Sequence, residues 1–370
     1  MMGVKRDALS LVRRHLAEMP GYKPMDPIDV VARELGLPEE RIAKLDGNEN
    51  PYGPSPKVAE ALREFGHYHI YPDPEQRRVR KAVAEYVGVA MAQVVLGNGS
   101  DELLSIAAML FLSPGDKMLN APPTFGVYTF LGHVYDADIV HVERNEDFGL
   151  DIPALERELD DGAKLLYIAS PNNPTGNRLP REQLERLLDH DAAIVLDEAY
   201  AEFAGESVAG MVREHDNLIV VRTFSKWAGL AGLRAGYAVF PPSLAEIVWN
   251  VKVPFNLTVA AEQAILASLE DRDTLMNNVK LIVAERERLY ARLTEVPWLR
   301  PYPSHANFIL CEVRTMAAKE VRDRLREQGI LVRYLDSPGL RNCIRISVGK
   351  PEHTDRLMDA LREMGAVVGK

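Results

Sequence analysis

Leu218-Ile219-Val220-Val221-Arg222-Thr223-Phe224-Ser225-Lys226-Trp227-Ala228-Gly229-Leu230-Ala231-Gly232-Leu233-Arg234-Ala235-Gly236-Tyr237 decides the fold. Its apolar start, 218–221, is closed by Thr223 to Lys226. Two upstream stretches have the same build. Residues 165–169 are closed by Ser170-Pro171-Asn172-Asn173-Pro174-Thr175-Gly176, and 192–196 by Asp197-Glu198-Ala199-Tyr200. Short Val/Ile/Leu-rich runs bounded by turn residues read as buried strands of a parallel sheet. Ligands of open α/β sheets bind beyond the carboxyl ends of the strands. Lys226, Asp197, Asn173, Tyr200 and Arg234 are therefore expected at one edge.

That set has a chemical reading. A lysine amine condenses with an aldehyde cofactor, and an aspartate keeps a pyridine nitrogen protonated so that the ring withdraws electrons; pyridoxal phosphate requires both. An unperturbed lysine titrates near about 10.4, so burial or a nearby cation must lower it before the amine attacks. Arg234, beyond Lys226 in the same stretch, carries the bidentate fork that suits a phosphate. Gly97-Asn98-Gly99-Ser100-Asp101-Glu102 ends a strand and opens a helix, whose free N–H groups also suit a phosphate. Asp101 would repel that phosphate, so its amide rather than its carboxylate is the expected donor.

These motifs resemble those of fold-type I, class I/II aminotransferases, from Leu45 to Val348. Asn48-Glu49-Asn50-Pro51, Tyr71-Pro72-Asp73-Pro74 and Ile344-Arg345-Ile346-Ser347-Val348-Gly349 are similar to the histidinol-phosphate aminotransferases within that group. The resemblance implies an α/β protein of the aspartate aminotransferase-like fold type I. A large pyridoxal-phosphate-binding domain with a mostly parallel sheet is joined to a smaller α+β domain. Residues 1–47 are expected to form an N-terminal arm and part of the small domain, 48–262 the large domain, and 263–370 the interdomain helix and the rest of the small domain.

The resemblance also assigns roles. Lys226, Asp197 and Tyr200 are catalytic. Gly99, Ser100, Asp101, Thr223, Ser225 and Arg234 cradle the cofactor phosphate, and Phe125 stacks on the ring. Tyr200 and Asn173 reach the ring hydroxyl. Tyr71 reaches the phosphate of the neighbouring subunit's cofactor, which implies a homodimer. Arg345 anchors the substrate anion, Arg333 is a second clamp, and Tyr22, Asn50 and Asn173 contact substrate. Each residue alone has a commoner fate: most lysines are solvated, Asn-Pro-Thr-Gly is a good turn, and an arginine between two isoleucines often faces water.

Composition excludes other classes. A net charge of −10 argues against a nucleic-acid binder, which needs a basic face. Cys311 and Cys343 lack metal-ligand spacing, so no metal is expected. Residues 1–14 mix charges and lack the apolar core of a signal peptide, and no apolar run reaches a membrane span. A cytoplasmic protein is therefore expected, and the resemblance implies that it acts on a small-molecule amino donor and a 2-oxo acid acceptor.

Periodicity predicts helices over 5–18, 29–35, 57–65 and 77–87, then alternating strands and helices. Ser100 is expected to cap a helix over 101–112. After Pro297 the pattern becomes α+β. Three activities share this scaffold: transamination of histidinol phosphate with 2-oxoglutarate, transamination of aromatic amino acids, and decarboxylation of a phosphothreonine-type substrate. A non-catalytic relative is disfavoured by the retained Lys226, Asp197 and Arg234.

Overall fold

The computed structural model describes residues 7–19 and 25–368. Strand β1 (Ala43–Leu45) pairs in parallel with a strand near the other end of the chain. Next come β2 (Val94–Asn98), β3 (Lys117–Asn120), β4 (Asp138–His141), β5 (Leu165–Ala169), β6 (Ala193–Asp197), β7 (Leu218–Thr223) and β8 (Ala235–Val239). These seven form the large sheet, in the order β2-β8-β7-β6-β5-β3-β4. The last strands are β9 (Leu299–Pro301), β10 (Phe308–Val313), β11 (Ile330–Tyr334) and β12 (Cys343–Ser347). With β1 they form a five-stranded sheet, β1-β11-β12-β10-β9.

The central strands β5 to β8 are buried along their whole length. Both faces of the large sheet are covered, which explains why these strands read as near-continuous apolar runs. Alternate residues still go to opposite sides. Leu166, Ile168, Ile194, Leu196 and Val220 join one core, while Leu165, Tyr167, Val195, Ile219 and Val221 join the other. The first core continues through the long helix Arg272–Thr294 into Phe308, Ile344 and Ile346 of the small sheet. One packed interior therefore fixes the small domain against the large one.

Strand direction assembles the site. β3, β5, β6 and β7 run parallel, and β8 is antiparallel to both β7 and β2. The carboxyl ends of β2, β6 and β7 thus share an edge with the amino end of β8. Asn98, Asp197 and Thr223 end the first three strands, and Arg234 immediately precedes β8.

Two expectations are corrected. The stretch read as a helix over 5–18 is a 3-10 turn, Ala8–Leu11, and a single helical turn, Arg14–Ala17, separated by extended backbone. Leu9 and Val12 are exposed. Without a surface to bury its apolar face, so short a helix is marginal. The helix expected over 101–112 starts one residue earlier, Ser100–Phe111, and its N-cap is Gly99 at φ 80, so the Ser100 side chain makes no cap bond. β1, β9 and the helices Val127–Val134, Ile152–Asp160 and Pro242–Val251 were not foreseen. Among the described residues no helix is long and apolar enough to cross a membrane.

Candidate active site

Lys226 follows β7 in a turn that also carries Phe224 and Trp227, both fully buried. Its Nζ donates to the Gly47 carbonyl at 3.1 Å. Burial pushes the amine down to about 8; Glu49 opposes that, and Arg345 and Arg234 reinforce it. The lysine therefore has the partly neutral nucleophile that its chemistry needs.

Asp197, the last residue of β6, is buried. Its Oδ2 accepts from Tyr128 Oη at 2.8 Å and its Oδ1 from the Ala199 amide at 3.0 Å. Burial pushes its pKa up to about 6, against those two donors. A carboxylate so held favours a cationic N–H facing it. Tyr200 is buried beside it, edge-on to Phe308 at 5.1 Å. Burial raises its pKa, although Arg345 and a hydrogen bond from Asn48 act the other way. Phe125 is half-buried and meets Tyr128 edge to face at 5.7 Å.

At the phosphate end, Gly99, Ser100 and Asp101 form the start of the helix Ser100–Phe111. A side chain on Gly99 would collide with the Arg234 guanidinium, and one on Gly236 would meet the Ser100 amide nitrogen. Glycine is thus required where β8 and Arg234 close on the helix start. Arg234 donates from Nη2 to Asp101 Oδ2 at 2.9 Å. The repulsion expected of the Asp101 carboxylate is answered by that ion pair. Thr223 Oγ1 accepts from the Ser225 amide at 3.0 Å and lies 2.9 Å from Ser225 Oγ. Helix-start amides, hydroxyls and a guanidinium form a donor set that fits a phosphate monoester.

Arg345, on β12, is buried. It donates from Nη1 to Asn173 Oδ1 at 2.5 Å and from Nη2 to the Asp46 carbonyl at 2.6 Å, with its guanidinium over the Phe308 ring. Arg333 is half-buried on β11, directly opposite Arg345 in the antiparallel register. Asn50 uses both ends of its amide within the chain: Nδ2 donates to the Trp227 carbonyl at 2.8 Å, and Oδ1 accepts from the Tyr52 amide at 2.9 Å. It fixes the turn that follows Lys226. Tyr71 is 80% exposed and tilted against Phe255 at 4.8 Å. Tyr22 lies outside the described residues.

Sequence reasoning missed two residues. Tyr128 holds Asp197 and is stacked on Tyr167 at 5.1 Å. Its signal was a second aromatic one helical turn after Phe125. Asn48 donates from Nδ2 to Tyr200 Oη at 3.0 Å, and its Oδ1 accepts from Ser347 Oγ at 2.7 Å. Its φ of 55 is a conformation that asparagine tolerates better than most residues. Its place in Asn48-Glu49-Asn50-Pro51 was visible, but its role was not.

The family described as aminotransferase class I and II matches residues 40–361. The histidinol-phosphate aminotransferase of Roseiflexus castenholzii is 49% identical over 363 residues, covering 96% of this chain and 98% of that protein. The crystal structure of histidinol-phosphate aminotransferase from Sinorhizobium meliloti in complex with pyridoxal 5'-phosphate superposes with a TM-score of 0.88 at 28% identity, covering 97% of this chain and 98% of that one. A Thermus thermophilus aspartate aminotransferase double mutant shares the fold, with a TM-score of 0.79 at 24% identity over 96% of this chain and 99% of that one.

Proposed function

The chain belongs to the class I and II aminotransferases, and on that premise we propose that it transfers the amino group of L-histidinol phosphate to 2-oxoglutarate. The products are imidazole acetol phosphate and L-glutamate, a step of histidine biosynthesis, and the cofactor is pyridoxal 5'-phosphate. The fold is the aspartate aminotransferase-like fold type I, with the large and small domains described above. The observation that carries the reading is one sheet edge at which a half-buried lysine with a lowered pKa, a buried carboxylate and a phosphate cradle meet.

Bound pyridoxal phosphate supplies a ring that takes up the charge left when a proton leaves the substrate's α-carbon. The side chains supply the rest. Lys226 holds the cofactor, then takes and returns the proton at Nζ. Asp197 holds a proton on the ring nitrogen. Tyr200, oriented by Asn48, and Asn173 bind the ring hydroxyl. Phe125 covers a ring face. Gly99, Ser100, Asp101, Thr223, Ser225 and Arg234 bind the phosphate. Arg345 takes the substrate anion, with Arg333, Tyr22 and Asn50 around it.

The active unit is a cytoplasmic homodimer in which Tyr71 reaches the partner's phosphate site. The exposure of Tyr71 and of neighbouring Tyr68 and Ile70 supports that assembly. The membership of β1 in the small sheet supports the boundary at 47/48; the one at 262/263 falls within the helix Val259–Glu270.

The test is to give the holoenzyme histidinol phosphate, phenylalanine and O-phosphothreonine separately and identify the products by mass spectrometry. The expected product is imidazole acetol phosphate, formed with the highest kcat/KM. A keto acid from phenylalanine with histidinol phosphate inert would establish the aromatic reading instead. Carbon dioxide from phosphothreonine would establish a lyase.

A further inference from the structure

Between the large and small domains lies a cavity of about 790 Å³. Its large-domain wall comes from the turn at 147–148, the segment 175–181 and residues 206–208; its small-domain wall comes from residues 300–305. None of the residues assigned above to cofactor or substrate lines it. A smaller cavity of about 230 Å³ shares Asp147, Asn177 and Arg178 with it and reaches Arg144. The volume falls in the range of small-molecule sites, about 300–1,000 Å³.

The chemistry of the walls selects a ligand class. Arg178, Arg181 and Arg300 line it, with His305, whose pKa burial lowers, and two acids, Asp147 and Glu206; Arg181 also pairs with Glu185 at 2.8 Å and Arg300 with Glu312 at 3.7 Å. Arg178 reaches Glu206 through Nη1 at 2.9 Å, and Asp147 Oδ1 already accepts the Gly149 amide at 2.9 Å. Deeper in, Arg144 donates from Nε to the Ala121 carbonyl and from Nη1 to the Phe148 carbonyl, each at 2.9 Å. Its buried Nη2 has no partner among the described residues. An unpaired buried guanidinium nitrogen is costly and is relieved by an acceptor. An aromatic platform stands beside these cations. Phe148 and Tyr302 meet at 4.9 Å, and the Arg300 guanidinium lies 5.0 Å from the Tyr302 ring centroid. The Phe148 and Tyr302 rings meet edge to face at 69°, and a flat apolar group packs favourably against such a pair.

The cavity is also wired to the catalytic edge. Thr175, on its wall, accepts from Asn172 Nδ2 at 2.7 Å, and Asn172 Oδ1 accepts from Thr124 Oγ1 at 2.7 Å. Those bonds tie the wall to the loop of Asn173 and to the segment of Phe125. Ser207 Oγ and the Val208 amide, also on the wall, donate to Glu198 at 2.5 and 2.7 Å, and Glu198 directly follows Asp197. The two domains are clasped here by the His305 amide, which donates to the Gly176 carbonyl at 2.8 Å.

We propose that this interdomain cavity binds a small organic anion with a flat apolar body, and that its occupancy changes turnover at the catalytic edge. The ligand's acidic group meets Arg178 and Arg300, its flat body lies on Tyr302, and its presence holds the two walls at one separation.

The probe is naphthalene-1-sulfonate, titrated calorimetrically into the holoenzyme. One saturable site per chain is expected, with Kd on the order of 1 mM or tighter. The double variant Arg178→Gln/Arg300→Gln should weaken it about tenfold or more, the loss of one charge-assisted bond, whereas Arg345→Lys should leave it unchanged. Saturating probe should alter kcat of the wild type but not of the double variant. If the double variant fails to fold, the exposed Arg300→Gln and Pro303→Trp, which obstructs the small-domain wall, serve separately and should each weaken the probe. Absence of saturable binding, binding lost in Arg345→Lys but kept in the double variant, or binding that leaves kcat untouched overturns the proposal.

Discussion

Tyr128→Phe is the sharpest probe of the catalytic edge, because it removes one oxygen and little else. The ring is fully buried and stacked on Tyr167 with an interplanar angle of 2°. Phenylalanine keeps that packing. What disappears is the 2.8 Å bond to Asp197 Oδ2. A hydrogen bond to a charged group contributes about 1.5–3 kcal/mol. Since one pKa unit corresponds to about 1.4 kcal/mol, the loss raises the Asp197 pKa by about one to two units. In the cofactor-free protein burial already pushes that pKa up to about 6. The variant's carboxyl therefore becomes largely protonated near neutral pH and can no longer hold a positive ring nitrogen.

The assay is the pH profile of kcat/KM together with the cofactor dissociation constant from equilibrium dialysis. The acid limb should move up by about one to two units. Cofactor binding at pH 7 should weaken by about tenfold or more. A purely structural role for the hydroxyl would lower the melting temperature without moving the limb. An acid limb unchanged in Tyr128→Phe at full cofactor occupancy refutes the reasoning.

Other outcomes follow from the same geometry. Lys226→Ala should bind the cofactor without a covalent link and lose turnover; wild-type turnover would remove Lys226 from its role. Asp197→Asn should stabilise the cofactor-free protein. The folded carboxyl has its pKa raised from 3.8 to about 6, so the stability it contributes is full below about pH 4 and lost as the pH rises through about 6. The gain should be roughly 3 kcal/mol at most above pH 7 and absent near pH 4, as read by urea unfolding. Co-expressed Tyr71→Ala and Lys226→Ala chains should form heterodimers more active than either parent; a fully active monomer would end the shared-site reading. Arg345→Ala should lower kcat/KM for both half-reactions by on the order of tenfold to a hundredfold, whereas Arg333→Ala should shift the preference between substrates. Stopped-flow measurement of each half-reaction separates the two.

The large sheet was legible because its strands are buried on both faces: runs such as 193–197 and 218–223 carry the pattern without interruption. The turn chemistry after each run then located Asn173, Asp197 and Lys226. Short edge elements were not legible. β1 has three residues and acquires its identity only by pairing with Ile330 to Val332, nearly three hundred residues away. The N-terminal helix failed for another reason: its apolar period is present, but among the described residues Leu9 and Val12 stay exposed and nothing rewards the helix. Tyr128 and Asn48 escaped because each acts through another side chain, and a contact between distant segments leaves no local pattern. Ser100 was misread as a cap because serine is a common one. Gly99 takes that position with a positive φ, which leaves the serine hydroxyl without a cap bond.

The same contacts explain why the site can be reactive without being disordered. Lys226 is half-buried and Asp197 buried, and desolvation pushes each toward its neutral form: the amine down to about 8 and the carboxyl up to about 6. Both shifts are unfavourable to folding near neutral pH. The surrounding bonds keep the groups from escaping to water. Gly47 holds the amine, Tyr128 and the Ala199 amide hold the carboxylate, and Asn48 links Tyr200 to Ser347 of the small sheet. A phosphate in the Arg234 cradle and a cationic ring nitrogen at Asp197 would offset these costs together. Cofactor binding should therefore stabilise the fold most above pH 6, where the Asp197 carboxylate is ionised and without a counter-charge of its own.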